Sequence, residues 1–332
     1  MKAIPIILCS LVISLICGGC AVGKVGRRVE KAKDIVKECW VKDPFIEPVA
    51  SGSSFNPNNA LTLARVCRLV WETDRINIQK VSSQWNARYL FADLPDTHSQ
   101  YLIFGNHNYT VVSFRATQSK LGDIWTVLKY QEYEDNPEYK AKKIYEDLPR
   151  GNAGFREGAA DCFASGLVED LNNFRSGTGA EKSPLFVTGH SLGGGIALLV
   201  RQKLEAAGIN VDSVYVFGCP VAVSGKLTRD SKYKETEASI YKSKFGSTTF
   251  FHRYEGDNVP LLRPTNKMYS PPGWSRQLTA NGAMSEYQEY RTMNIFTGGA
   301  WCIPWLTGMI HNHNLERSYI PALKKGVKET QF

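Results

Sequence analysis

Ser191 lies in the run Val187-Thr188-Gly189-His190-Ser191-Leu192-Gly193-Gly194-Gly195-Ile196-Ala197. A serine flanked by glycines two residues to either side fits a sharp turn that pushes its hydroxyl outward as a nucleophile. The three matching positions are a weak signal by themselves. Their setting is a strong one, because the apolar run Pro184 to Thr188 precedes the turn as a buried strand and Ile196 to Leu204 follows it as a helix.

A serine hydroxyl attacks a carbonyl only when a base takes its proton. The chain has six histidines. His190 adjoins the serine, and its side chain is expected to point elsewhere. His98 falls in a polar loop, His107 in a hairpin tip and His252 at a strand end, all ordinary surface or packing positions. His311 and His313 remain, near the C-terminus, and both stay open as the base. In α/β-hydrolase sheets the order along the chain is nucleophile, acid, histidine, so the acid should fall between them. Glu255-Gly256-Asp257-Asn258-Val259-Pro260 follows a buried strand and turns sharply, and a carboxylate there can fix the tautomer of the histidine. Asp212 precedes its strand and Asp230 lies in a charged segment, so both are weaker candidates.

These residues need elements to hold them. Asn59 to Trp71 carries a helical stripe of Ala60, Leu63, Cys67, Val70 and Trp71, and Phe155 to Phe174 reads as another helix, with Ala159, Phe163, Leu167 and Leu171 on one face. Tyr101 to Phe104 and Thr110 to Phe114 flank a turn at Gly105 to Asn108, the pattern of a hairpin. Pro184 to Thr188, Val214 to Phe217 and Thr248 to Phe251 are apolar without strict alternation, as strands covered on both faces are. Strands alternating with helices predict an α/β fold with a mostly parallel central sheet.

In ordered blocks from Asn59 to Leu323 the chain resembles the class 3, or fungal-type, lipases of the α/β-hydrolase fold. Asn59-Ala60 with Leu63-Ala64 resembles the family's first helix. Val112 to Ser119 resembles its F-R-G-T block, Gly154-Phe155 a helix start, Gly189 to Gly193 the nucleophile block and Phe217-Gly218-Cys219-Pro220 the next strand end. Gly256, Asp257, Val259 and Pro260 match the acid block, and His313 with Tyr319 the histidine block. The resemblance implies Ser191 as nucleophile, Asp257 as orienting acid, His313 as general base, and the backbone N–H groups of Thr117 and Leu192 as the oxyanion hole. Three departures stand out. Ala116 replaces a usual glycine, Asn152-Ala153 replaces a Val-His pair, and the step from His313 to Tyr319 is one residue longer than the family's, which keeps His311 open. The resemblance also implies a lid within Lys120 to Arg150; Ser270 to Trp305, rich in aromatics, is read as a further wall of an acyl pocket.

The N-terminus carries one lysine, an apolar run from Ile4 to Cys17 and then Gly18-Gly19-Cys20. That run falls short of the roughly 20 apolar residues a spanning helix needs, and it has the outline of an export signal. Gly19-Cys20 resembles a bacterial lipobox, although Cys17 stands where Leu is usual, and Cys20 is the expected lipidation site. The expected layout is a signal peptide over 1–19, the anchor cysteine with a basic helix and linker over 20–54, and the α/β-hydrolase domain over 55–332. An exported lipoprotein on the outer membrane or the periplasmic face follows, with plain secretion as the alternative. Of the remaining cysteines, Cys39, Cys67, Cys162, Cys219 and Cys302, an odd number leaves at least one thiol unpaired within the chain.

A chain of 332 residues with 43% hydrophobic and 22% charged residues is neither low-complexity nor wholly disordered. Its net charge of +8 suits an anionic surface. Nothing in it resembles a nucleic-acid module, so no nucleic-acid partner is expected, and with no C-x-x-C spacing beyond Cys17-Gly18-Gly19-Cys20 at the end of the export signal, no metal or organic cofactor is expected either. The sequence therefore predicts a serine hydrolase of lipid esters held at a membrane surface. A short-chain esterase and a non-catalytic lipid-binding lipoprotein are the alternatives.

Overall fold

The computed structural model describes residues 44–72, 74–94, 97, 99–115, 153–220, 237–257, 259–263, 274–286, 293–294 and 312–329. Cys20, the export signal, the basic helix, Thr117, the expected lid, His98, His311, Asp230, Cys39, Cys302 and most of Ser270 to Trp305 lie outside the described residues.

Helix α1 (Pro57–Leu69) opens with Asn56, whose side chain accepts from the N–H groups of Asn58 and Asn59, and with a proline where no donor is missed. Helix α2 (Arg75–Gln84) is capped by Asp74 and leads into strand β1 (Arg88–Asp93). The expected hairpin follows as β2 (Gln100–Asn106) and β3 (Tyr109–Arg115), joined at His107-Asn108 with Tyr101 opposite Phe114.

The single helix expected over Phe155 to Phe174 is instead two, α3 (Ala153–Ala164) and α4 (Leu167–Thr178). The break falls at Gly166, where φ is +92°. A left-handed residue ends a helical run, and glycine adopts it without steric cost. After these come β4 (Leu185–His190), α5 (Leu192–Ala206), β5 (Ser213–Phe217), α6 (Glu237–Phe245), β6 (Thr249–Tyr254), β7 (Trp274–Leu278), β8 (Met284–Glu286) and the C-terminal α7 (Ile320–Glu329).

The eight strands from β1 to β8 lie side by side in chain order. Strands β3 to β7 are parallel, and the hairpin partners at each edge are antiparallel. Alternate residues bury opposite faces. Val112, Val187, Val214, Val216 and Phe251 pack under α3, α4, α5 and Tyr241 of α6, while Val111, Phe186, Tyr215, Phe217 and Phe250 pack under α1 and α7. Both faces are covered, which is why these strands read as continuous apolar runs. This is the mostly parallel α/β sheet that the sequence pattern predicted, in the α/β-hydrolase form that the resemblance implied.

Residues 44–54, expected to belong to a linker, lie as a strap against α1. Arg65 donates to the carbonyl of Pro44 (2.9 Å), Thr62 to that of Ile46 (2.6 Å), and Asn59 exchanges hydrogen bonds with Val49. Phe45 stacks on Trp85 with ring centroids 4.6 Å apart. The packed body thus reaches at least to Pro44. No described helix is long and apolar enough to cross a membrane.

Candidate active site

The parallel strands end on one edge of the sheet, and the chain turns there three times in ways that matter. The first turn joins β4 to α5. Ser191 has φ +57° and ψ −126°, a region that costs a non-glycine residue on the order of 1–3 kcal/mol. Its N–H donates to the carbonyl of Phe217 (2.9 Å), and its own carbonyl accepts from Gly194 (3.0 Å), so the conformation is locked from two sides. The turn also needs backbone to approach backbone: a Cβ on Gly193 would sit 2.0 Å from the carbonyl oxygen of Phe114. Ser191 is half-buried at the start of α5. Among the described residues nothing accepts from the N–H of Leu192, which lies at the positive end of α5.

The second turn follows β6. Asp257 is fully buried, and its carboxylate accepts from His313 Nδ1 (2.9 Å), the Tyr319 hydroxyl (2.5 Å) and the Val259 N–H (2.9 Å). Burial opposes ionisation here, but the charge and hydrogen bond of His313 with the two other donors outweigh it, and the carboxyl is held below the ordinary carboxylate range.

The third turn precedes α7 and carries His313. One ring nitrogen, Nδ1, is committed to Asp257, while Nε2 is buried with no hydrogen-bond partner among the described residues. That is the arrangement of a base with its tautomer fixed and its acceptor unused. Ser191 and His313 are not hydrogen-bonded to each other, a common looseness in ligand-free hydrolase sites. Gly218, at φ +56°, lets the ring come close; a Cβ there would lie 2.7 Å from His313 Cε1.

Between His313 and α7 the backbone makes a π turn, Leu315–Tyr319, in which Ile320 N–H bonds to the carbonyl of Leu315. A π turn holds one more residue than an α turn. It accommodates the residue that the resemblance counts as extra in the His313-to-Tyr319 step, and both side chains reach Asp257. Asn314 caps the turn by accepting from Arg317 N–H (3.0 Å).

The structure therefore brings together Ser191, Leu192, Asp257 and His313. Thr117 and His311 fall outside the described residues. Asp212 flanks the opposite end of β5, beside Ser213, away from the three turns. His107 is exposed in the β2–β3 turn, and His252 is buried on β6, stacked on Phe217 (4.8 Å). Sequence reasoning missed three residues of the site: Gly218, the Tyr319 hydroxyl as a donor to the acid, and His190, whose ring lies 4.5 Å from that of His313. Cys67, Cys162 and Cys219 are free, buried thiols, and burial pushes the Cys67 thiol up to about 12. Among the described residues no group of His, Cys, Asp and Glu could hold a metal ion.

Residues 111–266 match the family described as lipase (class 3). This span runs from β3 past Asp257 and stops before His313. The fold is similar to that of a fungal lipase solved as an inhibitor complex (TM-score 0.55, 14% identity, covering 81% of this chain and 96% of that one). It is also similar to the Rhizomucor miehei lipase propeptide complex (TM-score 0.53, 15% identity, covering 80% and 79%). A further fungal lipase aligns over 92% of this chain and all of its own at 16% identity and TM-score 0.50. No curated protein matches the chain in sequence. The family match over these residues and the shared fold support a serine ester hydrolase.

Proposed function

We propose that the protein hydrolyses lipid esters, as a triacylglycerol lipase or a phospholipase A1 does, through Ser191, His313 and Asp257. The observation that carries this reading is the His313 imidazole, tied to buried Asp257 through Nδ1 at 2.9 Å and with no partner for Nε2 among the described residues. Beside it lies the strained turn of Ser191.

In the proposed reaction His313 Nε2 takes the Ser191 proton as Oγ attacks the ester carbonyl, and Asp257 stabilises the resulting imidazolium. The oxyanion is held by the N–H of Leu192 and, by resemblance, that of Thr117; a single such donor is worth about 10²- to 10³-fold in rate. His313 then protonates the leaving alcohol, and water, activated by the same imidazole, releases the acyl group from Ser191. No cofactor enters any of these steps.

The test is hydrolysis of p-nitrophenyl esters of graded chain length and of phospholipid vesicles. Wild type is expected to turn over long-chain or vesicle substrates, and Ser191→Ala to lose turnover. A preference for the shortest esters would favour the short-chain esterase instead, and equal rates for both proteins would leave a non-catalytic lipid-binding role. The export signal and Gly19-Cys20 support a lipid anchor on Cys20 and attachment to a membrane face. Radiolabelled palmitate should enter the wild type and not Cys20→Ser; incorporation that survives the substitution would defeat the anchor.

A further inference from the structure

His190 is a buried titratable side chain that the proposed chemistry does not use. Strand periodicity sends Phe186, Thr188 and His190 to the α1 face of the sheet, whereas the turn throws Ser191 out at the edge. The ring of His190 lies against Trp71 (6.2 Å) and Tyr319 (6.0 Å), both edge-on, and against the ring of His313 at 4.5 Å. Its Nε2–H donates to the backbone carbonyl of His313 at 2.7 Å. Since a carbonyl only accepts, Nε2 must carry the proton in this contact. Burial, with a smaller contribution from His313, pushes its pKa down to about 3, so the ring stays neutral at physiological pH.

We propose that His190 is a positioning residue that holds the backbone of His313, so the dipeptide His190-Ser191 sets the distance between nucleophile and base. This proposal rests on His313 being the base. Three contacts among the described residues bear on His313 itself. Asp257 fixes its Nδ1, Gly218 admits its ring and His190 fixes its main chain. Of these, only His190 is covalently attached to the nucleophile. A shift of about 1 Å between reacting groups can cost on the order of 10²-fold in rate. A neutral neighbour also lets His313 acquire its positive charge without repulsion from a second imidazolium.

Two substitutions separate the donor from the packing. His190→Phe keeps a ring and removes the donor; His190→Gln keeps an N–H donor on a shorter side chain. The readouts are kcat and KM on a p-nitrophenyl ester, the rate of Ser191 phosphonylation by a fluorophosphonate, and the low-field proton resonance of His313 Nδ1–H, which needs no turnover. His190→Phe is expected to lower kcat and the phosphonylation rate about 10²-fold, with KM little changed, and to broaden or shift the Nδ1–H resonance. His190→Gln should recover most of each. A His190→Phe protein within about twofold of wild type with an unaltered resonance would overturn the proposal, and so would equal damage from both variants. Failure of the catalytic reading would look different: Ser191→Ala and His313→Ala would be as active as wild type, while the resonance would still report whether His190 holds His313.

Discussion

The nucleophile turn and the acid–histidine pair are built in opposite ways. The turn is local: Gly189, Ser191, Gly193 and Gly194 lie within six consecutive residues, and the strand before and helix after them force the geometry. The pair is assembled from a distance, with Asp257 and His313 separated by 56 positions in the sequence and a buried Tyr319 closing the contact. A local device tolerates change elsewhere in the chain and almost none within itself. A distant one depends on packing, so it can absorb an extra residue, as the π turn over Leu315–Tyr319 does.

That contrast can be broken or sharpened by substitution. The largest effect expected in the distant half is Asp257→Asn, which should lower kcat by about 10⁴-fold through the wrong histidine tautomer while leaving Ser191 in place. Loss of less than about tenfold, measured on the same ester, would argue that the pair does not act as one unit. Gly218→Ala is next. Its methyl group would press on His313 from 2.7 Å, and we expect kcat to fall about 10²-fold with a much smaller shift in the thermal midpoint. A smaller change is expected from deleting Arg317, which shortens the π turn to α spacing. If the turn merely stores one residue, kcat stays within about tenfold of wild type; a complete loss would make the turn itself essential.

The smallest effects concern acid. His190 and His252 are buried and neutral, each with a pKa pushed down to about 3 from 6.5, chiefly by desolvation. The unfolded chain binds protons at these positions below about pH 6.5 and the folded chain does not, so stability is present above that value and is lost as pH falls towards 3. The slope is at most about 1.4 kcal/mol per pH unit for each histidine. Asp257, whose folded pKa is depressed, adds loss in the same direction in acid. His252→Phe should flatten the decline of the thermal midpoint between about pH 6 and pH 4; an unchanged slope would mean that His252 does not carry its share.

The same contrast explains what could be read from the residues. The strand–turn–helix around Ser191 was legible because its determinants are contiguous. Order after a buried strand put Asp257 ahead of Asp212 and Asp230 without settling on it, and position narrowed the histidine only to His311 or His313, until the resemblance favoured one of each. The contact of His190 with His313 was not legible, because the two residues are far apart in sequence and meet only when β4 and the turn before α7 pack together. Gly218 was read only as part of a strand-end block, and its role was hidden for the same reason: its need for no side chain comes from His313, which nothing in its own neighbourhood announces. In the fold, Gly166 was a visible breaker inside a strongly periodic helix, and the periodicity outweighed it. The strap over residues 44–54 carries the half-buried Phe45 and Ile46 among turn-forming residues, and its docking depends on Trp85 and α1.

The central claim is that Ser191 is the nucleophile and is activated from His313. A fluorophosphonate followed by peptide mapping tests it most directly. We predict one modified peptide, labelled on Ser191, with labelling abolished by Ser191→Ala and slowed by at least about 10³-fold in His313→Ala, as expected when a triad member is removed. Label on another residue, or a His313→Ala protein that reacts as fast as wild type, would contradict it.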